Sequence, residues 1–198
     1  TREDILEAAA RAFARGGFEA TTMQDIAQEA GYTPASLYTY FPGKKAIFEE
    51  LVALLAAEIF QTFDEPVPRS LTFRQRLELL IARQVGLAQK WRDAFAVFFA
   101  VRPDGDYVGG GDKGERLAGF DLYCRRFAQW VEEAASEDEM GGKEPIDVAY
   151  FFFGTAYAFF LRWLGGPAKA NLVDMTPTVL DLFFYGLAGK PAASGGKN

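Results

Sequence analysis

The sequence predicts an all-α protein in which an N-terminal three-helix unit is joined by a fourth helix to a larger helical domain. Three observations lead there. Between Thr22 and Ile47, two short helix patterns are joined by a single glycine. Beyond Lys44, long segments repeat apolar residues at helix spacing. The segments are separated by breakers such as Gly16-Gly17, Pro42-Gly43 and the run Asp64-Glu65-Pro66-Val67-Pro68.

The first helix is expected over residues 2–15, with Ile5, Leu6, Ala9, Ala12 and Phe13 on its inner face and Gly16-Gly17 ending it. Its pattern is already running at Arg2, which leads us to expect further residues upstream, basic ones among them. Thr22 caps the second helix, with Asp25 three residues on as a reciprocal cap. Met23, Ile26, Ala27 and Ala30 share one face of it. Gly31 stands where that helix must stop, because the residue past a helix end often takes the left-handed backbone that glycine adopts without steric cost. Thr33 then caps a third helix whose first position is Pro34, where a missing amide hydrogen loses nothing. This helix is expected to make about two turns over 35–41. The fourth is expected over 44–63, with Ile47, Phe48, Leu51, Leu55, Ile59 and Phe63 inward.

Two short helices around a glycine turn form a helix-turn-helix, whose second helix is narrow enough to enter the DNA major groove. Here that second helix carries no acid, and Thr33, Pro34, Ala35, Ser36 and Thr39 give it small or hydroxylated side chains at its contact surface, with Thr22 at the start of the preceding helix also expected to touch DNA. Small side chains let the backbone approach base edges. Tyr38, Tyr40, Lys44 and Lys45 can bond phosphate oxygens, with the Tyr38 ring packed and its hydroxyl outward. Lysines at a helix start oppose the helix dipole, which is why a phosphate partner is expected for Lys44 and Lys45.

Ile5, Ala9, Phe13 and Gly17, then Thr22, Ile26, Ala27, Ala30 and Gly31, then Leu37, Tyr38, Phe41, Lys44 and Ile47-Phe48 resemble the TetR family of bacterial transcriptional regulators. The resemblance covers about the first fifty residues. It implies a DNA-binding domain over 1–48 and a ligand-binding and dimerisation domain over 49–189; the terminal residues 190–198 are expected to be a disordered tail. It further implies a repressor that binds a palindromic operator as a homodimer and is released by a small molecule. Pro42-Gly43 departs from the polar residue that many members place before the lysine.

Thr72 and Gln75 form a capping box for a fifth helix carrying Phe73, Leu77, Leu80, Ile81, Leu87 and Trp91 at helix spacing. A short aromatic helix over 91–101 precedes Pro103. Residues 104–114 read as a loop; its Gly109-Gly110-Gly111-Asp112-Lys113-Gly114 lacks the lysine-hydroxyl pair and preceding strand of a phosphate-cradling loop. A helix follows over 115–136, and the polar run 137–143 is expected to break the chain. Residues 145–164 form a helix apolar on every side, uncharged between Asp147 and Arg162 yet short of the roughly 18 residues a membrane span needs. Thr176-Pro177 opens a last helix, expected to reach Leu187. Two adjacent helices this apolar exceed what one small domain covers, so pairing with a second copy across a two-fold axis is expected.

A pocket for an apolar or aromatic guest is expected among Gln84, Phe95, Phe99, Tyr123, Phe127, Trp130, Tyr157 and Phe160. An aromatic stripe at helix spacing is also what plain core looks like. Arg125, Arg126 and Arg162 could meet an anionic group, or simply lie at the surface.

The whole chain holds 198 residues with a net charge of -6, which disfavours DNA globally but not across the acid-free stretch from Gly31 to Lys45. Cys124 stands alone, so no internal disulfide forms, and an inert buried thiol in a reducing cytoplasm is expected. No charged-then-apolar leader opens the sequence, and export is not expected. With no histidine and no activated thiol, the chain lacks the commonest general base, metal ligand and nucleophile. No enzyme activity, metal or cofactor is expected. The rival reading is a helical adaptor that binds a small molecule or protein without specific DNA.

Overall fold

Helix α1 (Arg2–Gly16) buries Ile5, Leu6, Ala8, Ala9, Ala10, Ala12 and Phe13, and packs against α2 (Met23–Ala30), α4 (Lys44–Asp64) and α6 (Arg92–Phe99). The small alanines let these helices approach, and an aromatic cluster closes the remaining space. Phe13, Phe18 and Phe48 stand with ring centroids 5.1 to 6.2 Å apart, at tilted or edge-on angles that suit the aromatic quadrupole. The computed structural model describes residues 1–99, 113–167 and 171–188, with side chains given for all of these except 98, 99, 113–118 and 188. Every regular element among them is helical.

The chain divides into two compact units. The first takes residues 1–64 and 86–121, and the second takes 65–85 and 122–198. The path therefore crosses between them at the end of α4, within α5 (Phe73–Lys90) and again within α7 (Lys113–Ala134). In the first unit α3 (Pro34–Tyr38) lies after α2, and Glu58 of α4 accepts the indole hydrogen of Trp91 at 2.7 Å. Lys90 lies 3.4 Å from the same carboxylate and 3.8 Å from Glu3 of α1. These bonds tie the start of α6 to both α4 and α1.

The second unit gathers Phe73, Leu77 and Leu80 of α5, Phe127 and Val131 of α7, Phe152 and Trp163 of α9 (Pro145–Leu164) and Leu180 of α10 (Thr176–Tyr185) into a buried core. Thr72 and Gln75 form the expected reciprocal cap of α5. Arg74 at that helix start donates to Asp181 of α10 at 2.6 Å.

The helical expectations hold for the long elements, and the differences have local causes. The third helix stops at Tyr38, short of 41, since the following Pro42 disfavours α backbone at Phe41. The amides of Tyr40 and Phe41 both turn onto the Leu37 carbonyl. The polar run after Ser136 does not simply break the chain. It forms one turn, α8 (Glu137–Met140), closed by left-handed Gly141. Glu139 explains this turn, since its carboxylate accepts the Ser136 amide at 3.0 Å and the Phe73 amide at 2.8 Å, capping α8 and α5 together. The last helix ends at Tyr185, two residues early, where Gly186 takes φ 60°. The glycine-rich stretch up to Asp112 and the tail from 189 lie outside the described residues, and α7 already begins at Lys113.

Candidate DNA-reading surface and effector interior

The helix-turn-helix is built by caps. Thr22 Oγ1 accepts the Asp25 amide at 3.2 Å while Asp25 accepts the Thr22 amide at 2.8 Å. This reciprocal bond holds the Asp25 carboxyl below its usual range, with the Thr22 hydroxyl as the largest cause. Gly31 is left-handed at φ 73°, and the Tyr32 amide reaches back to the Ala27 carbonyl at 2.8 Å, so the chain turns sharply into α3. Thr33 Oγ1 accepts the Ser36 amide at 3.1 Å and opens α3.

Leu37 is fully buried and anchors α3, leaving Pro34, Ala35, Tyr38, Thr39 and Tyr40 exposed and Ser36 half-buried. Tyr38 is 56% exposed, so its ring stands in solvent where packing was expected. Tyr40 leans edge-on to Tyr32 at 6.0 Å. Thr39 Oγ1 donates to the Ser36 carbonyl at 2.6 Å, which leaves its lone pairs and methyl to face outward. Thr22, before α2, is exposed as well. The expected contact residues are thus exposed except Ser36 and Lys44, which are half-buried, and the stretch from Thr33 to Lys45 carries no acid, although Thr22 bonds Asp25 and Lys45 lies 3.6 Å from Glu49.

Lys44 turns inward. Its ammonium donates to the carbonyls of Phe18, Glu19 and Thr21 at 2.8, 2.7 and 3.0 Å. Lys45 is different, with its side chain 78% exposed and Glu49 3.6 Å away. Sequence reasoning did not find the other cations that organise this unit. Arg2 donates to the Tyr40 carbonyl at 2.9 Å, pairs with Glu50 and stacks on Phe41 at 4.3 Å. Arg11 and Arg15 of α1 both pair with Glu29 of α2. The Arg15 and Arg11 bonds hold the Glu29 carboxyl below its usual range, and Arg2 does the same for Glu50. Separations of 14 to 48 residues hide such pairs from any helix-period argument.

In the second unit, the Tyr123 hydroxyl donates to Gln84 Oε1 at 2.8 Å. Burial pushes its phenol well above the ordinary range, and the Gln84 bond only partly offsets that. The Tyr123 ring stacks on Phe127 and meets Phe153 edge-on at 5.3 Å, and Phe153 stacks on Tyr157 at 5.3 Å. Phe127 continues the stack to Trp130 at 5.9 Å and to Phe152 at 5.1 Å. Gln84, Tyr123, Phe127, Trp130 and Tyr157 are therefore brought together. Phe160 lies along α9 against Trp163 at 5.7 Å. Phe95 is buried in the first unit, and the Phe99 side chain lies outside the described residues. The sequence reading missed Phe152 and Phe153, hidden in the uniformly apolar α9. Cys124 is buried, Arg125 and Arg162 are exposed and Arg126 is half-buried.

Helix α9 keeps an apolar face uncovered. Phe151 is 59% exposed, with Tyr150 and Leu161 also exposed beside Gly154 and Ala158. Phe183 of α10 packs against Phe151 and Phe152 at 5.8 and 5.2 Å. Among the described residues no helix is long and apolar enough to cross a membrane, and no group of three or more acidic, cysteine or histidine side chains could hold a metal ion.

Residues 5–51 match the family model described as bacterial regulatory proteins, tetR family. The chain is 24% identical over 188 residues to the HTH-type transcriptional repressor KstR2 of Rhodococcus jostii, covering 94% of this chain and 91% of that one. Its fold resembles the fatty acid degradation regulator FadR from Bacillus halodurans, with a TM-score of 0.69 at 18% identity, covering 96% and 97% of the two chains. It also resembles FadR from Bacillus subtilis in complex with stearoyl-CoA, with a TM-score of 0.65 at 19% identity over 94% and 100%.

Proposed function

We propose that this chain, whose residues 5–51 match the TetR family of bacterial regulatory proteins, is a cytoplasmic repressor which grips a palindromic operator as a homodimer and lets go when a small apolar molecule binds. One observation carries this reading above the others. Over the segment that the family covers, α3 stands on buried Leu37 and turns an exposed, acid-free surface of Pro34, Ala35, Tyr38, Thr39 and Tyr40 outward. Ala35 and Thr39 lie four apart, on the same helix face, and offer a methyl and a hydroxyl to base edges. Thr22, Thr33, Ser36, Tyr38, Tyr40 and Lys45 flank that face and are assigned to the backbone of the duplex.

The dimer follows from α9. Its exposed Tyr150, Phe151 and Leu161 form an apolar face beside small residues that permit close approach, and a second copy across a two-fold axis covers it. Two reading helices then enter successive major grooves about 34 Å apart. The effector enters the second unit, where the Tyr123–Gln84 pair sits among stacked rings, an interior suited to an apolar body carrying one neutral hydrogen-bonding group. Stearoyl-CoA, found in the Bacillus subtilis neighbour, is the first compound to try, its acyl chain being the apolar body that this interior suits. Release is assigned to α4 and the start of α6, which the Glu58–Trp91 bond ties together and which Lys90 links to Glu3 of α1. Such linkage requires the effector to favour one arrangement over the other, typically by about 1–3 kcal/mol.

The relatives are transcriptional regulators, and the absence of any histidine from the sequence fits a binding protein better than an enzyme. The test is selection of bound sequences from a random duplex pool at near-physiological salt. Enrichment of a palindrome with half-sites about one turn apart supports the dimeric repressor. If nothing is enriched and binding vanishes with modest salt, the adaptor reading replaces it.

A further inference from the structure

We infer that Lys44 is a positioning residue for DNA reading, a strut that sets the third helix in place, and that it gives no charge to phosphate. An ammonium has three protons. All three are used on the carbonyls of Phe18, Glu19 and Thr21, at 2.7 to 3.0 Å. The charge also lies 4.9 Å from the centre of the Phe18 ring. To meet a phosphate, Lys44 would have to leave three charge-assisted bonds and a ring face together.

Those carbonyls belong to the turn between α1 and α2. The turn is closed on itself, since buried Thr21 donates its amide to the Gly17 carbonyl at 3.2 Å and its hydroxyl to the same oxygen at 2.7 Å. Lys44 is the first residue of α4 and follows the tight Phe41-Pro42-Gly43 link from α3. Binding its ammonium to the turn therefore fixes where α4 begins, and the short link passes that position on to α3. Arg2 supplies the opposing hold, bonded to the Tyr40 carbonyl at 2.9 Å and stacked on Phe41. The C-terminal end of the reading helix is thus held by one cation from α1 and one from α4. Lys45, exposed beside Lys44, is the cation that faces the duplex.

The inference rests in part on the repressor reading, and the test separates the two. Duplex affinity is measured from 50 to 200 mM salt for wild type, Lys44→Gln and Lys45→Gln, using the selected duplex or a random 24-base-pair duplex if none is enriched. Exchange of the Thr21 amide is followed in the same proteins. For a strut, Lys44→Gln weakens binding by about tenfold at every salt with an unchanged slope, and Thr21 exchanges at least about tenfold faster. Lys45→Gln makes the slope shallower by about 0.9 per protomer and leaves Thr21 alone. A slope shallower by about 0.9 per protomer in Lys44→Gln overturns the inference, as does unchanged Thr21 exchange. A wild-type protein that binds no duplex ends the repressor reading, and Thr21 exchange then decides the strut. Should Lys44→Gln not fold, acetylation of the wild type by acetic anhydride decides. A strut leaves Lys44 far less reactive than Lys45 without DNA and unaffected by it, whereas Lys44 reacting like Lys45 and becoming protected by duplex overturns the assignment.

Discussion

Operator binding by this chain should depend only weakly on salt, and the size of the effect follows from where its cations are spent. On the reading unit Arg2 is paired with Glu50, Arg11 and Arg15 with Glu29, and Lys44 with three carbonyls. Lys45 is left facing solvent, with only an exposed Glu49 at 3.6 Å. One phosphate neutralised per protomer gives a dimer a slope of log affinity against log salt of about -1.8, so a fourfold rise in salt weakens binding about twelvefold. If Lys44 also reached a phosphate the slope would be about -3.6 and the loss about 150-fold. Fluorescence anisotropy with a labelled operator, titrated between 50 and 200 mM salt at constant pH, measures it directly. A slope of -5 or steeper would refute the reasoning, because it would require the paired arginines to leave their carboxylates on binding DNA.

Other perturbations test the supporting structure. Gly31→Ala forces a side chain into the left-handed backbone at φ 73° with no neighbour within 4 Å to add a clash, so thermal unfolding should show a loss of about 1–2 kcal/mol from backbone strain alone. Tyr123→Phe removes the bond to Gln84; urea unfolding should register about 0.5–1.5 kcal/mol, while duplex affinity stays unchanged. The Glu139 carboxyl is held below its ordinary value, first by the Phe73 amide and then by that of Ser136. A depressed folded pKa contributes stability above the unfolded value, about 4.3, that is lost as pH falls through the folded one. The stability gap between wild type and Glu139→Gln should therefore narrow as pH drops below about 4, measured by chemical denaturation across a pH series. Phe151→Lys places a charge on the uncovered face of α9; sedimentation velocity should show monomer, and operator affinity should fall with it.

The reading unit was largely legible from sequence because its determinants are local. Thr22, Asp25, Gly31, Thr33 and Pro34 act within four residues of the groups they cap or turn, and all behave as expected. Helix spacing likewise located α1, α4, α5 and α9. What escaped was set by distant partners or by competing backbone bonds. The turn of α8 depends on Glu139 reaching Phe73, 66 residues away. Arg2 and Glu50 meet across 48 residues. Lys44 illustrates the limit best: its position at a helix start invited a phosphate, and only the folded turn from Phe18 to Thr21 reveals three carbonyls in its place. In the second unit the rings were visible as a stripe, but α9 is apolar all round, so periodicity could not tell inward Phe152 from outward Phe151.

The pairing pattern also answers the difficulty posed by an acidic protein that reads DNA. With a net charge of -6, the chain has little long-range attraction for a duplex, and the cations around the helix-turn-helix work on the protein's own carboxylates and carbonyls. Non-specific affinity, which comes almost wholly from counterion release, should therefore be low. Contacts that depend on shape and hydrogen bonding keep their strength in salt, and in the proposed reading Ala35, Thr39 and the flanking hydroxyls supply them. A given base-edge contact thus forms a larger share of the total than it would on a basic protein, and the ratio of operator to random binding rises although the absolute affinity does not. This holds only while α3 is held in register, since a face of small side chains has no long reach to recover from a displacement. In the proposed reading, rigid placement by Arg2, Lys44 and Leu37 is then the condition for recognition, and a shift of α4 would end it.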